Sequence, residues 1–293
     1  MATKKTTKTA KTKTSQTKKT STKVQAERVT VTKTTVKSDV SKKLNGWNWI
    51  LALIYAVQGA AILYYGESAF RSLTTSYLAK DPLAGTSDSP VYVQAVRVLF
   101  DVNIQYFVAA VLVVAALSHV FSATVGRKKY EKELSARMNS ARWLEYAVGG
   151  GLLVGIVGLL SGVSDIATLA VVAGLTALMY GMSGHMMERT ASAGQKTNWL
   201  KYGIGVGAGL VAWAVVKVSL FDAVRYGDGL PVKTYWLVAS MFGLFVVQGV
   251  VQYLFYRRKA FAKDYMNYEW AHMVLGLVLK SAFAWQIFAA FLR

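Results

Sequence analysis

Seven long apolar runs constrain the fold of this chain more than any other feature of its sequence. An α-helix rises about 1.5 Å per residue, so about twenty residues cross the roughly 30 Å hydrocarbon core of a bilayer. A helix also satisfies its own backbone hydrogen bonds, as a bilayer requires. The sequence therefore predicts an all-α membrane protein, a bundle of seven transmembrane helices. The predicted spans are 46–65, 98–122, 143–162, 166–187, 199–220, 235–256 and 271–292.

The net charge of +19 is concentrated at the N-terminus. Residues 1–43 hold thirteen Lys or Arg against two acidic residues, in a segment rich in Thr and Ser. Such a composition buries too little apolar surface to fold alone. We therefore predict a disordered basic tail at 1–43 and a seven-helix domain at 44–293. The tail is suited to contact anionic lipid headgroups, at roughly 1 kcal/mol per basic residue, and nucleic acid is not the expected partner.

The Lys and Arg residues of the connections predict how the helices are oriented. The connections 126–142, 188–198 and 257–269, with Lys201 at a helix edge, carry thirteen of them, and the opposite set carries five. Positively charged connections stay in the cytoplasm. The prediction is a multi-pass protein of the cell membrane with a cytoplasmic N-terminus and an extracellular C-terminus.

The first outer connection, 66–97, is unusually long. Its segment VYVQAVRV alternates and is rich in β-branched residues, and turn-forming residues precede it, so a short β element is predicted there. The three prolines all lie in connections, so the sequence predicts no sharp helix kink.

Ionisable residues are scarce inside the predicted spans, and three of them need an explanation: Lys280, Glu145 and His119. An ammonium group near the middle of a span costs about 2.5–3.5 kcal/mol on insertion scales, so Lys280 should be paired, neutral or chemically modified. The predicted spans contain no second carboxylate deep within a helix besides Glu145. His272 is expected beside the membrane surface.

Two interpretations of Lys280 and Glu145 stay open at this point. They form a buried ion pair that fixes helix packing, or Lys280 forms a Schiff base whose positive charge Glu145 balances. A desolvated lysine is a usable nucleophile toward an aldehyde, and a protonated imine in low dielectric needs a counter-charge. His119 is either a satisfied polar group or part of a network near the imine. Trp285, about five residues beyond Lys280, is placed to lie against a group attached to the lysine.

Several segments resemble one family of retinal proteins. MVLGLVLKSAFAWQIF around Lys280, RWLEY at the start of the third span, ALSH in the second and QYL in the sixth together are similar to heliorhodopsins. The resemblance covers most of residues 44–292, and the segment around Lys280 is its most specific part. That family shares the orientation predicted above, with the N-terminus inside.

The resemblance implies all-trans-retinal bound covalently to Lys280, Glu145 as counterion, and a homodimer in the lipid bilayer. It places Arg142 one turn before Glu145 and His119 in a polar cavity beside the Schiff base. Two positions depart from the family pattern: Gly276 stands where a serine is common, and Tyr55 where a histidine is. The resulting retinal-site residues are Lys280, Glu145, His119, Arg142, Tyr146, Tyr55, Gly276 and Trp285.

The function predicted from these features is light sensing with a slow photocycle, read by an unknown cytoplasmic signalling partner. A pump needs an ordered proton acceptor and donor, and Glu145 has no deep companion in the predicted spans, so pumping is not expected. Two alternatives remain open: a light-gated proton channel, and a chromophore-free transporter that uses Lys280 and Glu145. No enzymatic activity and no metal site are expected.

Overall fold

A computed structural model describes residues 42–259 and 264–293. Within these ranges seven helices are long and apolar enough to cross a membrane, which confirms a multi-pass membrane protein with a seven-helix fold. In chain order the elements are α1 Lys42–Tyr65, β1 Phe70–Gly85, β2 Pro90–Asn103, α2 Ile104–Ala123, α3 Arg127–Ser135, α4 Ser140–Leu160, α5 Ile166–Met179, a π-helix Tyr180–Met186, α6 Met187–Ser192, α7 Trp199–Arg225, α8 Val232–Tyr256 and α9 Tyr265–Phe291. Nearly all of the predicted tail lies outside the described residues.

An Asn or Asp side chain caps the start of most of these helices. Its oxygen accepts a hydrogen bond from a backbone N–H of the first turn, which has no partner inside the helix. Asn139 does this for α4, with 3.0 Å between its Oδ1 and the nitrogen of Arg142. The same cap begins α2, α5, α7 and α9, at Asn103, Asp165, Asn198 and Asp264. These polar residues mark helix starts that the apolar runs alone leave undefined.

Helix α4 is the most buried of the seven spans and carries the centre of the fold. It packs against α2 on one side and against α5 and the π-helix on another. Small residues allow the close approach: a Cβ at Gly151 would lie 3.2 Å from the carbonyl oxygen of Ala173 in α5. Helix α9 packs against α2 and α8. Side chains of α4 and α9 therefore meet inside the fold.

The predicted β element is present, and it is longer than the sequence indicated. Strands β1 and β2 form an antiparallel hairpin in which Phe70 pairs with Asn103 and Lys80 with Tyr92. Near its base the hairpin is attached to the α4–α5 turn, because Thr74 donates its N–H to the carbonyl of Ser164 at 2.9 Å. The predicted start of the second span, residue 98, was wrong. Strand β2 extends to Asn103, and α2 begins only at Ile104.

The fourth span is irregular, although it contains no proline that would have predicted this. Residues Tyr180–Met186 form a π-helix between α5 and α6. The Tyr256 hydroxyl donates to the carbonyl oxygens of Ser183 at 2.8 Å and Gly184 at 3.2 Å. A side chain of α8 thus supplies a hydrogen bond to two carbonyl groups in the irregular segment. The span also continues to Ser192, five residues beyond its predicted end.

Candidate functional site

Lys280 of α9 and Glu145 of α4 form a buried ion pair. Their Nζ and Oε1 atoms are 2.9 Å apart, and each side chain is 4% exposed. The Nζ atom also lies 4.8 Å from the ring centroid of Tyr146 and 5.4 Å from that of Tyr55. Removing one partner of a buried pair leaves an uncompensated charge, so Glu145 is what allows a positive charge on Lys280 at this depth.

A small polar cavity adjoins the pair. It leaves about 20 Å³ in which the centre of a water molecule can lie, enough for one ordered water. On one wall the His119 Nδ1 atom is 2.8 Å from Asn48 Oδ1, so His119 has a polar partner in α1. The ring of His119 also stacks on that of Tyr55, with centroids 5.7 Å apart. The cavity brings together the predicted site residues Lys280, Glu145, His119, Arg142, Tyr146, Tyr55 and Gly276.

Gly276 allows Tyr146 and the lysine nitrogen to lie close to the backbone of α9. A Cβ at this position would lie 3.4 Å from Lys280 Nζ and 2.9 Å from the Tyr146 hydroxyl. That hydroxyl donates to the carbonyl oxygen of His272 at 2.7 Å, which fixes the ring of Tyr146. A larger residue at position 276 would therefore displace Tyr146.

Trp285 is the one predicted site residue that the structure places elsewhere. Its side chain is 42% exposed, and its Nε1–H donates to Gln58 Oε1 of α1 at 3.1 Å. Five residues along an α-helix correspond to a rotation of about 140° beyond one full turn. Trp285 therefore points away from the face of α9 that carries Lys280.

Arg142 forms ion pairs with two acidic residues other than Glu145. Its Nη2 and Nη1 atoms form ion pairs with Glu188 of α6 and Glu269 of α9, and all three side chains are buried. Asn139 donates to both acids, through its backbone N–H to Glu188 at 2.9 Å and through its side-chain amide to Glu269 at 2.6 Å. Glu145 is therefore not the only buried carboxylate, although Glu188 and Glu269 each lie four residues from the end of a span and not deep within it.

Both acidic residues were missed because the helices extend beyond their apolar runs. Glu188 follows the predicted end of the fourth span at 187, and Glu269 precedes the predicted start of the seventh at 271. Helical periodicity contained the missing signal, since positions 269, 272 and 276 lie three or four residues apart on the face of Lys280. Extending that face toward the start of α9 brings Glu269 into the site.

His272, which the sequence analysis left out of the site, also lines it. It is fully buried, and neither ring nitrogen has a hydrogen-bond partner among the described residues. The rings of Trp143, Tyr146 and Tyr268 surround it, with centroids 4.6–5.9 Å away. It lines the cavity that also reaches Lys280.

A row of aromatic rings leads from the ion pair into the bundle. The ring of Tyr146 is 5.3 Å from that of Tyr180, which is 6.0 Å from Phe245, which is 5.3 Å from Trp213. The row thus crosses from α4 through the π-helix to α8 and α7. The Tyr180 hydroxyl is held by Gln248 Oε1 at 3.0 Å. Ring faces and edges of this kind suit a flat, conjugated hydrocarbon ligand.

Seven membrane-spanning helices with a buried lysine, a carboxylate beside it and a row of aromatic rings define the class of retinal-binding membrane proteins. A family model described as Heliorhodopsin matches residues 44–292. The chain therefore belongs to the heliorhodopsin family, a family of light-sensing, retinal-binding rhodopsins. No curated protein matches the chain.

Proposed function

We propose that this protein is a light sensor that carries all-trans-retinal as a protonated Schiff base on Lys280, with Glu145 as the counterion. The observation that supports this most directly is the buried contact of 2.9 Å between Lys280 Nζ and Glu145 Oε1. The surroundings of Lys280 fit retinal, because the aromatic row begins beside its nitrogen at Tyr146. Retinal supplies absorption of visible light and isomerisation of a double bond.

The protein side chains hold the proton at Lys280 Nζ and determine where it goes. Glu145 stabilises the positive charge in a region of low dielectric, and it is the nearest acceptor when that proton leaves. His119, held by Asn48, supplies a second polar group across the cavity. Transfer of the proton removes a buried charge pair between α4 and α9, and this change biases how the two helices pack.

The location of the other buried acids supports sensing over pumping. Glu188 and Glu269 both belong to the Arg142 cluster, next to the start of α4. A pump needs an acceptor and a donor on opposite sides of the lysine, and these two acids lie together. A slow photocycle without transport is therefore the proposed behaviour. The polar cavity favours a light-gated proton channel as the second candidate, since a channel needs only a hydrated path and a gate.

The proposal also includes the membrane, the orientation and the partners of the protein. The charge of the connections supports a cytoplasmic N-terminus in the cell membrane, with α3 and its basic residues inside. A homodimer, a cytoplasmic signalling partner and contact of the tail with anionic lipids complete the proposal. No enzymatic activity is included.

A visible absorption spectrum after addition of all-trans-retinal tests the proposal. Wild type is expected to develop a red-shifted band, and Lys280→Ala is expected to show free retinal only. Lys217→Ala is the matched control, because Lys217 lies in a span but is exposed, with its Nζ over the ring of Phe242 at 3.5 Å. If wild type shows no band, or if Lys280→Ala keeps it, the proposed attachment is incorrect. Proton flux across vesicles under illumination then separates a sensor from a channel.

A further inference from the structure

The buried charges in and beside the cavity do not balance. Among the described residues the buried charged side chains are Arg142, Glu145, Glu188, Glu269 and Lys280. Lys280 and Glu145 sum to zero whichever of them carries the shared proton. Arg142 therefore faces two carboxylates with one positive charge, and the surplus is one negative charge.

A surplus charge at this depth is costly. Arg142, Glu188 and Glu269 are 7%, 0% and 1% exposed, so water does not screen them. A buried, uncompensated ion is normally neutralised by gaining or losing a proton. We propose that Glu188 and Glu269 share one bound proton in the dark and form, with Arg142, a proton-binding site separate from the Lys280–Glu145 pair.

The hydrogen bonds of the cluster leave positions for that proton. Arg142 occupies one oxygen of each carboxylate, and Asn139 occupies the other oxygen of each. A carboxylate offers about four lone-pair positions, so about half of those on the two acids remain free. The orientation of the Asn139 amide is fixed, because its Oδ1 accepts from the Arg142 N–H.

The neighbouring titratable groups do not compete for the proton. Those that interact with one or both acids are Arg142 and Tyr146 of α4, Tyr130 of α3, Tyr256 of α8, and Tyr265 and Tyr268 of α9. His272 of α9 lines the same cavity as Glu269 and interacts with Arg142. Tyrosine keeps its own proton at neutral pH and takes up no other. Arg142 and His272 contact the same rings, Trp143 and Tyr268, so an imidazolium would face the guanidinium. The two carboxylates are the remaining acceptors.

His272 connects this site to the rest of the cavity. Its two nitrogens have no hydrogen-bond partner among the described residues, although it is fully buried. It lines the same cavity as Glu269 and Lys280. A neutral imidazole can accept a proton on one nitrogen and release one from the other. His272 is therefore the titratable group that the two sets of buried charges have in common.

Solid-state NMR of the full chain, with ¹³C in the glutamate side-chain carboxyls, tests the site in the dark at neutral pH. Of the seven glutamates in the sequence, one is expected to show the resonance of a neutral acid. Glu188→Gln and Glu269→Gln are each expected to remove this resonance, because the remaining acid then pairs one to one with Arg142. Glu131→Gln, on the exposed face of α3, is the matched control and should retain it.

A wild-type measurement avoids any dependence on the folding of these variants. With ¹⁵N in the arginine side chains, the neutral carboxyl is expected to show dipolar coupling to a guanidinium nitrogen. If all seven glutamates are ionised, or if the neutral resonance couples to lysine ¹⁵Nζ instead and is lost in Glu145→Gln, the proposed site is wrong. The visible band of the same sample reports separately on retinal attachment.

Discussion

At the scale of single residues, three groups control the surroundings of Lys280 Nζ. Glu145 supplies the opposite charge at 2.9 Å. Tyr146 lies against the nitrogen in an orientation fixed by its hydrogen bond to the His272 carbonyl. Gly276 lacks a side chain, which lets Tyr146 and the lysine nitrogen lie close to the backbone of α9. Because a Cβ at position 276 would contact both groups, a side chain there should act directly on the chromophore.

We expect Gly276→Ser to shift the absorption maximum of the retinal-bound protein. The new Cβ lies 2.9 Å from the Tyr146 hydroxyl, so this ring must move, and the new hydroxyl can hydrogen-bond near Lys280 Nζ. The measurement is the visible spectrum beside wild type. Gly243→Ser is the control, because a Cβ at Gly243 meets no atom within 4 Å. Identical spectra for Gly276→Ser and wild type would show that a side chain at position 276 does not affect the chromophore.

Residue types in the sequence identified only part of this site. Lys280 and Glu145 stand out because charges are rare in apolar runs, and both line the cavity. Glu269 does not stand out, because it precedes the apolar run although it continues the same helical face, and His272 lies at the very start of that run. The contact between Arg142 and Glu188 could be recognised only from the three-dimensional fold, since 46 residues separate them in the sequence.

At the scale of elements, the π-helix depends on contacts with three neighbouring helices. Its Gly184 packs against the ring of Trp143 on α4, and its Ser183 backbone packs against Gly205 on α7. Tyr256 of α8 satisfies the carbonyls of Ser183 and Gly184. Contacts with three helices thus hold the irregular segment in place. Its sequence, YGMSGHM, gives no periodic signal for a π-helix, so it was not predicted.

Gly184→Ala is expected to lower the free energy of unfolding by about 1–3 kcal/mol through overpacking. Its Cβ would lie 2.3 Å from a ring atom of Trp143. Gly181→Ala, in the same π-helix, is a matched control because its Cβ meets no atom within 4 Å. Thermal unfolding of both variants in detergent measures the difference. Equal loss of stability in the two would show that the Trp143 contact is not the cause.

The cap of α5 makes stability depend on pH. The Thr168 backbone N–H, followed by its hydroxyl, holds the pKa of Asp165 below the ordinary value of 3.8. A carboxylate with a lowered pKa stabilises the fold above its unfolded pKa and loses this effect as the pH falls through its folded pKa. Asp165→Asn should therefore flatten the acid limb of the Tm–pH profile, while Asp222→Asn should not. An unchanged acid limb would contradict this role for Asp165.

At the scale of the whole molecule, Arg142 joins three distant parts of the chain. The starts of α4 and α9 and the end of the fourth span meet at one guanidinium group. Apolar packing alone does not specify this register, because the helices are uniformly apolar around their circumference. Seven helices were predictable from run length, whereas their ends and their mutual arrangement depend on polar contacts of this kind.

We expect Arg142→Gln to lower the free energy of unfolding by about 3–5 kcal/mol, because it leaves buried carboxylates without a cation. Arg127→Gln is the control, since Arg127 pairs with Glu131 on an exposed face and such a pair contributes at most about 1 kcal/mol. Chemical unfolding of both variants compares the two losses. A loss below 1 kcal/mol in Arg142→Gln would mean that the cluster does not hold the helices together.

The hairpin gives the connection between α1 and α2 an exposed turn at residues 86–89, twelve residues or more beyond its attachment at Thr74. At about 3.3 Å per residue this is roughly 40 Å along the strand. Exposed turns are preferred sites of proteolytic cleavage. A protease added to intact cells should therefore cut this turn first if the N-terminus is cytoplasmic. The two fragments would show on which side of the membrane the turn lies, independently of any measurement on the chromophore.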